Sequence, residues 1–289
     1  MPTLCCVVCG SASLTRTWRN NTYQILICHN CGLEFSEPMK SGGYEWYSHC
    51  LLYKSTKVSP SYRWEWECFL AAKLRGETLL DIGCGAGDFA FLAEKRGYHV
   101  SGVDLQDRSL ACARDRVPSG VFRKLDIDHE PLSGGPFDII TAFEVLEHLE
   151  RPGAAIAKML AVLAPDGHIV MSVPCIDRHP FFRRLSVIDY PPHHLTMWTP
   201  QALTVLLEAA SLDVVLLKRK PFDLGDFQAL AADHFSISSG LSKRLLHIGC
   251  RLLEPPLRKW PKSGGCSLFV MASRLMATAQ HPPHPAAGG

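Results

Sequence analysis

No stretch of this 289-residue chain approaches 18 uninterrupted apolar residues; the most apolar segment, AAIAKMLAVLA, is interrupted by Lys158. A membrane-spanning helix is therefore not expected. Nor is there an excess of either charge. Lys and Arg number 30 against 28 Asp and Glu, leaving a net +2, which argues against a strongly basic nucleic-acid binder, and no DNA partner is expected. Met1 is followed by PTLCCVVCGS, which lacks a basic n-region and an apolar core, so no signal peptide is expected and the expected location is the cytoplasm. No internal repeat is visible. Cysteine, by contrast, is abundant. Twelve thiols in a reducing compartment point to a metal site plus scattered buried cysteines rather than a disulfide framework. An apolar content of 47% is enough for a sizeable core.

Composition divides the chain into a Cys-rich segment 1–40, an aromatic linker 41–75 with a helix over Tyr62–Leu74 that suits either a lid over the site or packing into the core, a long region 76–275, and a disordered tail 276–289. From Glu77 onward strands and helices alternate. TLLDI, HVSGVDL, GVFRKLDI, FDIITAF, HIVMSVP, DVVLLKRK and CSLFVMASRL read as seven strands. AGDFAFLAEKRG, DRSLACARDR, RPGAAIAKMLAVLAPDG and TPQALTVLLEAASL read as helices, the last with a Thr N-cap. The expected fold is α/β: a doubly wound, seven-stranded, mainly parallel sheet with a small N-terminal Cys-rich module. Residues 220–265 form an insertion between the last two strands. Its basic amphipathic stretch, 240–262, suits either a cap over the site or contact with a membrane surface.

The segment LLDIGCGAGDF, Leu79–Phe89, places a buried strand before a glycine turn into a helix. Glycine allows positive φ and close backbone approach to a ligand. Asp81 precedes the glycines, Asp104 ends the second strand and Asp126 follows the third. A carboxylate at Asp104 can take both hydroxyls of a ribose, and one at Asp126 can accept from an adenine amino group. The order G-C-G-A-G is not the G-x-G-x-x-G of dinucleotide folds. The pattern resembles the class I S-adenosylmethionine-dependent methyltransferases, from about Leu79 to Leu275. The resemblance implies that Gly83 and Gly85 line the methionine part, Asp104 the ribose and Asp126 the adenine. Asp81, Cys84, Gly87, Leu105 and Ile127 complete the expected cofactor set, with Glu144 opening the motif after the fourth strand.

Two further motifs carry chemistry. Cys6 and Cys9, then Cys28 and Cys31, form two C-x2-C pairs, each followed by glycine. Four thiolates at this spacing fit a tetrahedral structural zinc ion, and the pattern looks like a zinc ribbon. The second is FEVLEHLERP. A helix starting after the fourth strand would put Glu144, Glu147 and His148 on one face, at the carboxyl end of the sheet where ligands bind. His193 or His194, in YPPHHLTMW, could reach the same place. Glu144, Glu147, His148 and His194 match ubiquinone-pathway O-methyltransferases, and also the metal set of small-RNA terminal 2′-O-methyltransferases. Three readings stay open: a divalent ion such as Mg2+, a metal-free base at His148 or His194 with Glu144 on the methionine amine, or a solvated turn.

The resemblance implies methyl transfer from S-adenosylmethionine by in-line displacement, dominated by alignment and proton removal. The expected acceptor is a small molecule, glycan or lipid-linked precursor. An RNA or protein acceptor gripped by the ribbon, and a non-catalytic cofactor-binding module for assembly, are the alternatives. Oligomeric state is not readable from the sequence.

Overall fold

The computed structural model describes residues 4–49, 63–176, 189–221, 223, 247–249 and 264–275. The tail 276–289, the body of the insertion and most of its basic stretch lie outside the described residues. Among those described, no helix is long and apolar enough to cross a membrane.

Two sheets organise the chain. The first is antiparallel and takes β1 (Leu14–Arg19), β2 (Gln24–Cys28) and β3 (Glu34–Glu37) from the Cys-rich module. After it come two helices, α1 (Gly43–His49) and α2 (Trp64–Ala72). The second sheet is built from β4 (Thr78–Ile82), β5 (His99–Asp104), β6 (Val121–Lys124), β7 (Phe137–Phe143), β8 (Leu163–Pro174), β10 (Leu212–Pro221) and β11 (Gly264–Arg274). Its order is β10-β11-β8-β7-β4-β5-β6. β4 pairs in parallel with β5 and β7, β5 with β6, and β7 with β8; β11 alone runs antiparallel to both its neighbours. The expected doubly wound, mainly parallel seven-stranded sheet is what forms. Helices α3 (Asp88–Glu94), α4 (Asp107–Arg116), α5 (Pro152–Ala161) and α6 (Pro200–Ala209) connect the strands. β7 explains the architecture locally: six of its seven residues are buried, as a strand covered on both faces requires.

A short strand after α5, β9 (Thr196–Met197), leaves the large sheet and joins the small one beside β3, pairing Glu34 with Met197 and Phe35 with Thr196. The Cys-rich module and the α/β core also share one apolar cluster, in which Cys28, Cys31, Leu33 and Phe35 are 0% exposed beside Leu146, Leu203 and Leu206. Full burial of a Leu or Phe is worth about 1.5–3 kcal/mol each, so the two parts pack as one body.

Three expected boundaries shift. The helix expected over residues 151–167 stops at Ala161, because Leu163 already pairs with Phe137 and the strand ladder takes the chain from there. No helix begins directly after β7. Glu144 adopts φ 54°, and a single 3-10 turn, Leu146–His148, follows before Pro152 starts α5; a left-handed residue cannot continue a right-handed helix. The helix expected over Tyr62–Leu74 is α2, and its Phe69 packs edge-on to Phe89 at 5.1 Å, so that face of the helix is part of the core.

The turn between β4 and α3 needs its glycines unequally. At Gly87, φ is 79° and a Cβ would lie 2.9 Å from the Ala113 Cα; at Gly85, φ is 52° and a Cβ would meet open space. Gly87→Ala is therefore expected to cost ~2–4 kcal/mol, from the left-handed conformation plus overlap with α4, and Gly85→Ala only the conformational ~1–2 kcal/mol. Urea unfolding of both variants measures the difference.

Candidate active site

The parallel strands present their carboxyl ends on one side, and a cleft of about 490 Å³ opens there. Its walls come from the loop after β4 (Gly83, Gly85), the end of β5 (Asp104, Leu105, Gln106) and the segment after β6 (Leu125 to Asp128). The remaining wall is formed by the turn after β7 (Glu144, Val145, Glu147, His148, Leu149), with Ser41, Gly43, Arg63, His193 and His194. This is the crevice that open α/β sheets use for ligands.

Most of the expected cofactor residues meet here. Asp104 accepts backbone N–H bonds from Gly85 at 2.9 Å on Oδ2 and from Gln106 at 2.8 Å on Oδ1. Each oxygen keeps a lone pair for a ligand hydroxyl. Burial pushes the Asp104 carboxyl above its usual range, against those backbone donors. Asp126 is held by the Asp128 N–H at 3.0 Å and by His129 Nδ1 at 3.0 Å. Leu105, Leu125, Ile127, Val145 and Leu149 supply the apolar faces a ring needs.

Asp81, Cys84 and Gly87 do not line the cleft. Asp81 is 3% exposed and accepts from Thr141 Oγ1 at 2.8 Å; Cys84 is buried; Gly87 packs on α4. They hold the glycine turn from behind, because strand alternation points Asp81 and the loop's second half into the sheet's own packing rather than outward. Three cleft residues carried no sequence signal. Arg63 precedes α2, with its Nε 2.6 Å from Glu65 Oε1. Asp128 accepts from the N–H groups of Glu150 and Arg151 at 3.0 and 3.2 Å. Ser41 follows the Cys-rich module.

On the opposite wall stand two carboxylates and three imidazoles. Glu147 is 1% exposed and, among the described residues, neither of its carboxylate oxygens has a hydrogen-bond partner. Its Oε1 lies 3.6 Å from His148 Nε2 and 3.9 Å from His194 Nε2. Burial, then the neighbouring Glu144 charge, raises the Glu147 carboxyl well above the usual range; burial also raises Glu144. His148 Nδ1 lies 2.7 Å from the His193 carbonyl oxygen. A carbonyl only accepts, so the Nδ1 carries the proton and Nε2 is the basic nitrogen. Burial, then the two other imidazoles, lowers the His148 pKa well below the usual value. His193 and His194 stack at 4.5 Å, and His148 stands edge-on to both. The residues whose ligand atoms gather within 4.8 Å are His148, His193 and His194. His193 thus joins the expected Glu144, Glu147, His148 and His194; Glu147 and His148 come from a 3-10 turn rather than a helical face, and Glu144 from the left-handed residue that precedes it.

In the Cys-rich module, Cys6 Sγ lies 3.7 Å from Cys31 Sγ and Cys9 Sγ 3.4 Å from Cys28 Sγ, and all four sulfurs lie within 4.8 Å of one another. A tetrahedral zinc site with Zn–S near 2.3 Å requires sulfurs about 3.8 Å apart. The four thiols fit that ion.

Burial pushes the Asp81 carboxyl up to about 7. Its folded pKa therefore exceeds the unfolded value near 3.9, and folding takes up a proton between the two. Stability should fall as pH rises from about 4 to 7, by up to ~4 kcal/mol, and stay flat above. Asp81→Asn removes this slope. It should match the wild type at pH 4 and exceed it in melting temperature at pH 8, as calorimetry can measure.

Comparison with known proteins agrees with this geometry. A family model described as "Methyltransferase domain" matches residues 65–217, more than half of the chain. The chain is 33% identical over 123 residues to a ubiquinone biosynthesis O-methyltransferase of Bordetella avium, covering 41% of this chain and 50% of that one. The chain therefore spans about half the length of the curated relatives it matches. Among solved structures, an S-adenosylmethionine-dependent methyltransferase from Mesorhizobium loti superposes with a TM-score of 0.54 at 17% identity, covering 75% of this chain and all of that one. The [4+2]-cyclase SpnF superposes at 0.52 and 18% identity, covering 75% of this chain and 85% of that one; at such identity the likeness is one of fold. The glycine turn, the carboxylates at successive strand tips and the matched span agree: this chain belongs to the methyltransferase domain family, with the fold of the class I S-adenosylmethionine-dependent enzymes.

Proposed function

We propose that this chain moves the methyl group of S-adenosylmethionine to a hydroxyl of a small molecule, with His148 as the base. The observation that carries this reading is the His148 ring. Its Nδ1 proton is committed to the His193 carbonyl, burial favours the neutral ring, and His148 lines the cleft with its basic Nε2 3.6 Å from Glu147 Oε1. A neutral imidazole of fixed tautomer can take the proton of a hydroxyl as the oxygen gains its methyl group. The curated relatives matched are named for ubiquinone biosynthesis O-methylation, which favours a small-molecule hydroxyl over a glycan, a lipid-linked precursor, RNA or protein.

S-adenosylmethionine brings a methyl group already activated on a sulfonium. Around it, Gly83 and Gly85 leave room for the methionine part, Asp104 offers lone pairs to the ribose hydroxyls, and Asp126 accepts from the adenine amino group. Arg63 supplies a cation for the carboxylate and Glu144 a carboxylate for the amine. Desolvation is the common thread: the raised Glu144 and Glu147 carboxyls regain their charge when a cationic ligand arrives.

A second reading has its own observation. Three imidazoles within reach of one ion, beside a buried Glu147 that has no hydrogen-bond donor among the described residues, suit a divalent cation. That nitrogen-rich set suits a transition ion better than Mg2+, which prefers oxygen. A macromolecular acceptor is less favoured, since Lys40 of the Cys-rich module is paired with Glu150 at 3.0 Å and Arg16 and Arg19 alone add to its basic surface. A purely assembling module would have no use for a base of fixed tautomer. The four clustered thiols hold one structural zinc; metal analysis of the purified chain should find one equivalent, and Cys28→Ser should lose it.

His148→Ala should lower transfer from methyl-labelled S-adenosylmethionine into a metabolite extract by about 10²-fold or more. The affinity for S-adenosylhomocysteine, by calorimetry, should stay within a few-fold of wild type. Wild-type transfer by the variant excludes the base. Retained transfer after chelation, with no metal beyond one zinc, excludes the second reading.

A further inference from the structure

The Cys-rich module reaches the cleft through backbone. Leu195 follows His194 directly. Its N–H donates to the Glu147 carbonyl at 2.7 Å, and its own carbonyl accepts from the Ser36 N–H at 2.8 Å. One peptide segment is thus clamped between the turn that carries Glu147 and His148 and the edge strand β3 of the module. β9 continues the clamp by pairing with β3, and the Trp198 N–H donates to the Pro174 carbonyl at 3.0 Å, anchoring the far side on β8.

Side chains lock the same seam. The Thr199 hydroxyl donates to the Cys31 carbonyl at 2.7 Å and accepts from the Ala202 N–H at 3.0 Å. It therefore joins the second cysteine knuckle to the first turn of α6. Gln201 Nε2 donates to the Asn30 carbonyl at 3.0 Å. The fit is close, since a Cβ on Gly32 would lie 2.9 Å from Thr199 Cγ2. Tyr190, whose carbonyl accepts from the N–H groups of His193 and His194, lies ring to ring with Trp18 of β1 at 5.1 Å. On the cofactor side, Asp104 and the glycine turn are held within the large sheet, and the module reaches Asp128 indirectly, through the Lys40–Glu150 ion pair at 3.0 Å and the Glu150 N–H.

We infer that the Cys-rich module is a positioning element for the acceptor side of the cleft, and that Thr199 is the residue through which its cysteine knuckle sets the His193–His194 segment. The module grips no partner of its own in this role. It takes the place of a wall that the α/β core lacks, and fixes three imidazoles whose spacing must hold for proton removal or ion binding. The functional meaning rests on the reading of those imidazoles as acceptor-side chemistry, but their placement can be measured without any transfer, so the two claims can fail separately.

The test uses the full chain and no acceptor. Histidine ring Cε1–Hε1 signals and the rate of modification by diethylpyrocarbonate are followed for His148, His193 and His194, with His168 on β8 as internal reference. Calorimetry with S-adenosylhomocysteine reports the cofactor side. Thr199→Val should displace the His193 and His194 signals and raise their modification about three- to tenfold, as loss of one anchor allows. The His168 rate should not change, and S-adenosylhomocysteine affinity should stay within about twofold. Thr199→Ser, which keeps the hydroxyl, should restore the wild-type signals. Should Thr199→Val fail to fold, Gln201→Leu decides, with a smaller displacement in the same direction. Unmoved histidine signals in the variant that folds, or equal loss at His168 and in cofactor affinity, would overturn the inference.

Discussion

A carboxylate buried in the turn after β7, with no hydrogen-bond donor among the described residues, is the constraint around which this chain is arranged. Leaving a charged Glu147 unpaired costs several kcal/mol or forces it to take up a proton. The chain accepts that condition and surrounds the group with Glu144 and three imidazoles, and the charge of Arg63 across the cleft offsets only part of the cost of burial. Burial favours the neutral forms of Glu144, Glu147 and His148, which leaves them ready to exchange protons or to receive a cation. The direction of every shift in the cluster agrees with that, raised at Glu144 and Glu147 and lowered at His148.

The same end of the sheet carries a second, different chemistry. Asp104 and Asp126 are satisfied by backbone and side-chain donors and face the cleft with lone pairs to spare. On the proposed reading one wall takes a nucleoside and the other removes a proton, and the parallel pairing of β4 with β5 and β7 brings the two walls to a common edge. The Cys-rich module closes the second wall from outside through β3 and β9.

Much of this was legible in the sequence where local signals are strong. β4, β7 and α4 occupy the segments TLLDI, FDIITAF and DRSLACARDR read from their apolar periodicity, and the paired C-x2-C spacing foretold four gathered sulfurs. Signals of longer range were not legible. The pairing of Phe35 with Thr196 joins residues far apart in the chain, and no local pattern encodes it. Arg63 reads as one more charge before a helix, and only the closed cleft makes it a wall residue. The turn at Glu144 misled because the i, i+3, i+4 spacing of Glu144, Glu147 and His148 suits a helical face, while the φ of 54° at Glu144 is a backbone choice that no local pattern shows. Asp81, Cys84 and Gly87 stand behind the turn instead of in the cleft wall for a related reason, since sequence adjacency does not tell which side of a turn faces the cleft.

The central claim is that the cleft between the glycine turn and Asp104 is built for an adenosine carrying a sulfur-linked amino acid. Calorimetric titration of the full chain with S-adenosylhomocysteine tests it most directly. One equivalent bound per chain, weakened at least about tenfold by Asp104→Ala, is the predicted result. No heat with that nucleoside while a pyridine dinucleotide saturates the same chain would contradict it.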